Sequence, residues 1–431
     1  VSYKPATGRL SRFARLAGLG ARLSTEVVSK GVKKLAGSTE GIIGQAGAEK
    51  LVATLGEMKG LAMKVGQMIA MDPDQLPPEV RAVIARLQNQ APPMPYETVR
   101  EVVMGQLGAP PEEAFASFDE APLASASLGQ VHRATTKDGR EVAVKVQYPD
   151  IAKAMLADLD NIGPMVSLVS RGVGMAEGRA YFEEVRGELL KELDYVAEAK
   201  RAREFKAAAV AAPDLNVPEP IETLSGEKVL TLELLEGPTL KDLLARLPEV
   251  PNEERFRVAR LLIRAIWVPF LTGGMIHADP HPGNFILQPD GRLGVLDFGA
   301  VKQMSPAWLE VNQRMYRWVL DGGPMDLIQL SRDAGFTINL PDDVAGPFIT
   351  QTVEIATVPL RSKTFDFGTA DINRQMKAHF VKFALKIPNL RPPTEGLMFY
   401  RALGGLIQDL QNLKAQGPYR AVYEEIATLL P

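Results

Sequence analysis

The sequence predicts an α+β fold with two lobes, a small sheet lobe and a mainly helical C-terminal lobe, preceded by a helical extension. Three observations predict it. Apolar residues recur at the helical period through about the first 115 residues. From Ala121 to Tyr148, and again from Val217 to Leu235, short β-type runs are punctuated by Asp138-Gly139 and Ser225-Gly226. Beyond Gly237 helical patterning returns, interrupted by short strands at Phe285–Leu287 and Leu293–Leu296.

Residues 1–46 form a basic N-terminus. Within the first 37 residues Lys4, Arg9, Arg12, Arg15, Arg22, Lys30, Lys33 and Lys34 face one acid, Glu26. Phe13, Leu16, Gly20, Leu23 and Val27 share a helical face, which suits a surface helix on anionic lipid. A solvated terminus is the alternative, because Gly18 and Gly20 weaken the helix. Residues 47–118 read as a helical extension. Leu51, Leu55, Met58, Leu61, Ala62, Val65 and Ile69 keep the apolar period, and Asp72-Pro73 and Leu76-Pro77-Pro78 end that helix. Helices at Glu79–Gln90 and Tyr96–Leu107 follow, separated by Pro92-Pro93 and Pro95.

Residues 119–236 read as the sheet lobe. Strands at Ala121–Thr136 and Arg140–Tyr148 join through Lys137-Asp138-Gly139, a hairpin signal. A helical stretch runs from Ile151 to near Ala212, and strands at Val217–Thr223 and Lys228–Leu235 close the lobe. Residues 237–431 read as the helical lobe. Its most apolar run, Leu261–Ile276, is broken by Arg264 and Gly273-Gly274 and reads as a buried helix, not a membrane span.

Composition narrows the chemistry. The chain has 431 residues, 46% hydrophobic and 23% charged, an ordinary globular balance. A net charge of −3 gives no electrostatic case for nucleic acid. With no cysteine, disulfides, zinc–thiolate sites, iron–sulfur clusters and thiol nucleophiles are excluded. That absence and the lack of a secretory-signal pattern fit a cytoplasmic address.

The chemistry concentrates between His277 and Gly299. His277-Ala278-Asp279-Pro280-His281-Pro282-Gly283-Asn284 holds Asp-x-x-x-x-Asn, the spacing of a kinase catalytic loop. An Asp must stand beside the nucleophile to orient it and accept its proton, and an Asn five residues on must reach a metal. Asp297-Phe298-Gly299 follows an apolar run, as a strand delivering a carboxylate to Mg²⁺ before a turn. Each piece alone is weak; in this order they point to phosphoryl transfer with ATP and Mg²⁺. His277 and His281 are four apart, but Pro280 and Pro282 forbid the helix a zinc pair needs, so both read as loop-positioning residues.

Upstream, Val142-Ala143-Val144-Lys145 resembles the kinase strand whose Lys contacts the α and β phosphates. Such a Lys needs a helix Glu; Glu198 is the leading candidate, with Glu192 and Glu188 as competitors. Where a kinase carries a Gly-rich loop this chain has Ala124-Ser125-Ala126-Ser127-Leu128-Gly129-Gln130, with a single Gly, which predicts altered nucleotide handling. Ala124, Ser125, Ala126, Ser127 and Gln130, together with Glu233 and Leu235 at the end of the last sheet-lobe strand, are the candidate nucleotide contacts. No Ala-Pro-Glu follows Asp297-Phe298-Gly299, and the short Ala300–Trp308 segment leaves little room for a peptide-docking loop.

These residues together resemble the UbiB family of kinase-like proteins, also called ADCK or aarF-domain kinases. Lys64-Val65-Gly66-Gln67 is similar to its Lys-x-Gly-Gln signature, Ala124–Gln130 to its Ala-rich loop, and Glu192-Leu193-Asp194 to its Glu-x-Asp motif. Glu198 stands in the place of the helix Glu paired with Lys145, and Asp279, Asn284 and Asp297 match the catalytic and metal residues. The specific motifs run from about Gly47 to about Met304. The resemblance implies that the Lys-x-Gly-Gln helices lie over the peptide site as a lid, with Lys64 near Glu192 and Asp194 and Gln67 near the nucleotide. It also implies ATP binding and hydrolysis, a role in isoprenoid quinone (ubiquinone) biosynthesis or lipid metabolism, and contact with membranes or quinone-pathway enzymes. Many bacterial members carry C-terminal transmembrane helices; none is read here, so peripheral contact is expected. The alternatives are a small-molecule kinase and a non-enzymatic, nucleotide-gated scaffold of a biosynthetic complex.

Overall fold

The computed structural model describes residues 93–430 except 127, 154, 157–159, 161–185, 188–189, 192 and 384–388. The basic terminus, Lys64, Gln67, Ser127, Glu188 and Glu192 lie outside the described residues. The described residues divide into two units. One runs to Val196 and includes Ile221–Leu232; the other comprises Ala197–Pro220 and the chain from Glu233.

In the first unit, α1 (Tyr96–Leu107) starts after Pro95 and stops at Gly108, whose φ of 74° only a residue without Cβ adopts freely. Its Val99 and Val103 are fully buried and pack with Met94, Phe115, Val142, Val144 and Val146. A single turn, α2 (Pro111–Ala114), leads to β1 (Ser117–Phe118), β2 (Ala124–Ala126), β3 (Gly129–Thr135) and β4 (Glu141–Gln147). β3 and β4 pair antiparallel from Thr135↔Glu141 to Gly129↔Gln147, with Gly139 at φ 87° in the connecting turn, as Asp-Gly signals. Val142, Val144 and Val146 alternate inward, which sets Ala143 and Lys145 on the other face.

Two sequence expectations need correction here. Ala121–Thr136 is not one strand: β2 folds back on β3 with Ala126 opposite Gly129. A Cβ on Gly129 would lie 2.1 Å from the Val146 carbonyl oxygen, so only glycine allows that approach. Val217–Thr223 is not a strand either. β5 (Leu215–Asn216) ends before it, and Glu222–Leu224 is a 3₁₀ turn. Pro218 and Pro220 lack the N–H that a ladder needs. β6 (Val229–Glu233) completes the sheet in the order β1-β3-β4-β6, with β2 on β3.

The predicted helix from Ile151 is interrupted at Leu193-Asp194, after which α3 (Tyr195–Ala208) begins and runs into the second unit. That unit continues with α4 (Leu240–Ala245), capped by a reciprocal Thr239–Asp242 box, and α5 (Asn252–Gly273). Twelve residues of α5 are buried, on all its faces, which marks it as the core helix of this unit. It ends at Gly274 (φ 68°), and the apolar sequence continues into β7 (Met275–His277), a strand hidden in what reads as one helical run. β8 (Phe285–Leu287) and β9 (Leu293–Val295) pair antiparallel, with β5 parallel to β9, and β10 (Val301–Gln303) pairs with β7. The helices α6 (Pro306–Asp321), α7 (Leu327–Asp333), α8 (Asp342–Ala356), α9 (Val358–Arg361), α10 (Ile372–Lys382), α11 (Thr394–Leu413) and α12 (Tyr419–Ala427) follow. α11, α12 and α6 pack on α5. Among the described residues no helix is long and apolar enough to cross a membrane.

Candidate active site

The loop after β7 is built on two strand pairs. β10 anchors β7 through His277↔Val301, and the Ala278 N–H donates to the Ala300 carbonyl at 3.0 Å. On the far side Asn284 leads into β8, and its carbonyl accepts from the Leu296 N–H at 2.8 Å. Asp279 and Asn284 therefore stand at the mouths of strands tied to the stretch that carries Asp297.

Between them the loop is self-bracing. The His281 N–H donates to the Asp279 carbonyl at 2.8 Å, the Asn284 N–H donates to the His281 carbonyl at 2.8 Å, and the His281 Nδ1 accepts from the Gly283 N–H at 3.1 Å. Pro282 opens a 3₁₀ turn, Pro282–Asn284. Asn284 Nδ2 donates to the Asp279 carbonyl at 2.9 Å and to Asp279 Oδ2 at 3.1 Å. That orientation fixes the carboxylate and leaves the Asn284 carbonyl oxygen as the acceptor end of its amide. From α11, Arg401 Nη2 reaches Asp279 Oδ1 at 3.3 Å. Each oxygen of the buried Asp279 carboxylate thus has a donor beside it, Asn284 at 3.1 Å and Arg401 at the longer 3.3 Å.

Asp297 sits at φ 61°, left-handed backbone that a non-glycine residue rarely takes. Its Oδ1 accepts from the Gly299 N–H at 3.1 Å, which fastens the turn. His277 explains why the strain is kept: its Nε2 lies 3.0 Å from the Leu296 carbonyl and 2.7 Å from the Asp297 carbonyl. Both neighbours are acceptors, so Nε2 carries the hydrogen and donates. His277 is buried, as its reading as a loop-positioning residue requires. The Phe298 carbonyl accepts from Arg201 Nε of α3 at 2.7 Å. The rings of Phe205, Phe298 and His277 meet with centroids 5.8–6.0 Å apart, so α3 packs on the Asp297 turn through an apolar contact as well.

Asn284 and Asp297 supply hard oxygen donors, the chemistry Mg²⁺ takes. Among the described residues no group of three or more His, Cys, Asp or Glu side chains forms a metal cage.

Lys145, on β4 of the first unit, is half-buried, with its ammonium 5.3 Å from the centre of the Tyr195 ring. Ala124 and Ser125 are exposed on β2, and Ala126 is half-buried. Gln130 needs correction as a nucleotide contact. It is 1% exposed, and its amide accepts from the Met94 N–H at 2.7 Å and faces His132 Nε2 at 2.8 Å. It braces β3, and its side chain is not offered to a ligand. In the second unit Glu198 is buried on α3, Glu233 is exposed, and Leu235 is buried against Gly294. Asp194 is exposed just before α3. Arg401, Arg201 and Phe205 escape the sequence reading. Arg201 could have been found three residues after Glu198, but Arg401 is 122 residues from Asp279 in sequence.

Residues 86–319 match the ABC1 atypical kinase-like domain. The chain belongs to that family. The resemblance to UbiB/ADCK proteins read from the motifs therefore holds, and the α+β, kinase-like fold is the family's fold. The chain is 32% identical over 445 residues to a Caenorhabditis elegans protein named atypical kinase coq-8, mitochondrial, covering 99% of this chain and 58% of that one. It is 29% identical to the rat atypical kinase COQ8B, mitochondrial, covering 98% and 81% respectively. A solved Mycobacterium tuberculosis structure, Rv3197 in complex with erythromycin, is 30% identical with a TM-score of 0.60, and the match covers 94% of this chain and 100% of that one. The chain thus spans little more than half the length of the worm relative. The segment that carries Arg401 lies beyond residues 86–319 of the domain match.

Proposed function

We propose that this ABC1-family chain binds ATP with Mg²⁺ and turns it over, acting as an atypical kinase or ATPase in isoprenoid quinone or lipid metabolism. The observation that carries the reading is the Asp279–Asn284 bond at 3.1 Å, which couples the proposed base to the proposed metal ligand in one rigid loop. Asp279 accepts the proton of the attacking hydroxyl, from water or an alcohol. The new O–P bond forms as the β–γ phosphoanhydride breaks, and ADP leaves. Asn284 and Asp297 hold the metal, which offsets phosphate charge when bound. Lys145, Ala124, Ser125 and Ala126 are the proposed phosphate and nucleotide contacts of the first unit, and Glu198, Glu233 and Leu235 the proposed site residues of the second. Peripheral contact with anionic membrane brings the site to its lipid or quinone partners.

The test is Mg²⁺-dependent ATP hydrolysis by the full chain, with and without anionic liposomes and a phenolic quinone-precursor analogue. Asp279→Asn should abolish turnover while nucleotide binding and the unfolding transition persist. Retained turnover in that variant would sink the assignment. Stimulation by liposomes and the phenol together supports the lipid-linked role.

A second reading has one observation behind it. The mycobacterial relative was solved with erythromycin, a hydroxyl-bearing small molecule. Here that favours a small-molecule acceptor, tested by phosphoryl transfer to erythromycin at a rate above hydrolysis.

A further inference from the structure

The catalytic loop has a charge problem. Asp279 and Asp297 bring two carboxylates to the place where a phosphoryl group, itself anionic, is to be transferred. Between Asp279 and Asn284 the loop offers Pro280, His281, Pro282 and Gly283, with no permanent cation. Phosphoryl transfer is catalysed chiefly by positioned positive charge on the equatorial oxygens.

Arg401 brings a permanent cation to Asp279. Its side chain is 15% exposed, and its Nη2 is 3.3 Å from Asp279 Oδ1. Guanidinium–carboxylate hydrogen bonds normally close to about 2.7–2.9 Å, so Arg401 is not locked onto Asp279. Its Nε is buried and has no acceptor among the described residues. A buried donor without an acceptor is costly and persists where something else supports it. A group that touches one oxygen of the proton-accepting carboxylate is one contact from the nucleophile, and so from the phosphorus it attacks.

The helix that carries Arg401 is clamped to the same loop. One turn on, a Cβ on Gly405 would lie 2.1 Å from Pro280 Cγ, so α11 rests directly on the residue after Asp279. At its start Glu395 accepts from the Ser305 hydroxyl at 2.9 Å and from the Ser305 N–H, pinning the segment that follows Gly299. The guanidinium is therefore preorganised and needs no large movement to meet a developing charge.

We propose that Arg401 is a catalytic residue, an arginine supplied in cis by α11 that binds the transferring phosphoryl group and neutralises its charge in the transition state. The inference rests on the phosphoryl-transfer reading and extends it to a residue outside the kinase-type motifs.

The test compares the parent chain with Arg401→Met, which keeps the apolar stem, Arg401→Lys, which keeps the charge, and Arg401→Ala. Calorimetry measures binding of Mg·ADP with and without aluminium fluoride, which mimics the transferring group; turnover is measured in parallel. Arg401→Met should bind Mg·ADP like the parent, lose the tightening caused by aluminium fluoride, and lose about 10³-fold in kcat, the low end for an arginine of this kind. Arg401→Lys should recover part of both, and added guanidinium should restore turnover to Arg401→Ala. Equal tightening in Arg401→Met, or a rise in its kcat, overturns the proposal; the rise would make the Asp279 contact a brake. If Arg401→Met does not fold, Arg401→Lys decides by the same binding measurement, and tightening fully equal to the parent's with no loss of kcat overturns the proposal. Inactive Asp279→Asn beside fully active Arg401→Met rejects this inference alone. A parent that neither binds Mg·ADP nor hydrolyses ATP rejects the phosphoryl-transfer reading as well.

Discussion

Two adjacent glycines on α11 should respond in opposite ways to the same substitution. A Cβ on Gly404 meets nothing within 4 Å, whereas one on Gly405 would lie 2.1 Å from Pro280 Cγ and 3.2 Å from Pro280 Cβ and Cδ. Gly404→Ala gains helix propensity without a clash and should stabilise the chain by about 0.5–1 kcal/mol. Gly405→Ala gains the same propensity but requires carbon–carbon contacts of about 3.5–4.0 Å, so α11 and the loop must part by roughly 1.5 Å. Overpacking of this kind costs about 1–3 kcal/mol, leaving a net loss of up to about 2 kcal/mol after the helix gain. Proline cannot absorb the push by rotating about φ, so the displacement passes to Asp279, its neighbour. A misplacement near 1 Å at a catalytic group costs roughly 10²-fold in rate. Urea unfolding and ATP turnover, measured side by side, check both halves. If Gly405→Ala is as stable and as active as Gly404→Ala, the close approach of α11 to the catalytic loop is wrong.

Two further outcomes concern stability. Arg264, 5% exposed on α5, contacts Asp214 at 2.6 Å and Glu425 at 3.1 Å; Arg264→Met strands the half-buried Asp214 and should cost about 3 kcal/mol in urea unfolding, and a loss under 1 kcal/mol refutes the pairing. Burial pushes the Asp409 carboxyl from 3.8 to about 8, and its Oδ2 has no hydrogen-bond partner among the described residues. The folded chain holds this proton more tightly than the unfolded one. Its contribution is therefore full below about pH 4 and is lost as pH rises toward 8, by at most about 6 kcal/mol. Asp409→Asn should remove that dependence, and a stability difference between the two proteins that stays constant from pH 4 to 9 refutes it.

Much of the site was legible because local rules set it. Pro95 and Gly108 bracket α1, Asp138-Gly139 places the β3–β4 turn, and Asp279, Asn284 and Asp297 lie close enough in sequence for spacing to carry meaning. What failed depends on neighbours distant in the chain. Gln130 read as part of a nucleotide loop, yet Met94, 36 residues away, takes its amide. β7 was hidden because a buried strand and a buried helix are both continuously apolar, and only Gly274 marks the change. Val217–Thr223 was misread for a local reason: its two prolines outweigh its β-branched residues. Nothing in the sequence couples Arg401 to Asp279; the Gly404-Gly405 pair inside an apolar helix was the one trace of the close packing that brings them together.

The segment after Asp297 bears on the proposed chemistry. The Ala300 carbonyl is taken by the Ala278 N–H, Val301–Gln303 are paired with β7, and the Met304 N–H donates to the Gly274 carbonyl. Glu395 then holds Ser305, whose hydroxyl accepts from the Trp308 N–H to start α6. Each bond in this series opposes movement of the segment. Releasing the β7–β10 pair would also loosen His277, which faces the Leu296 and Asp297 carbonyls, and so disturb the strained turn at Asp297; the proposed chemistry therefore depends on this segment staying closed.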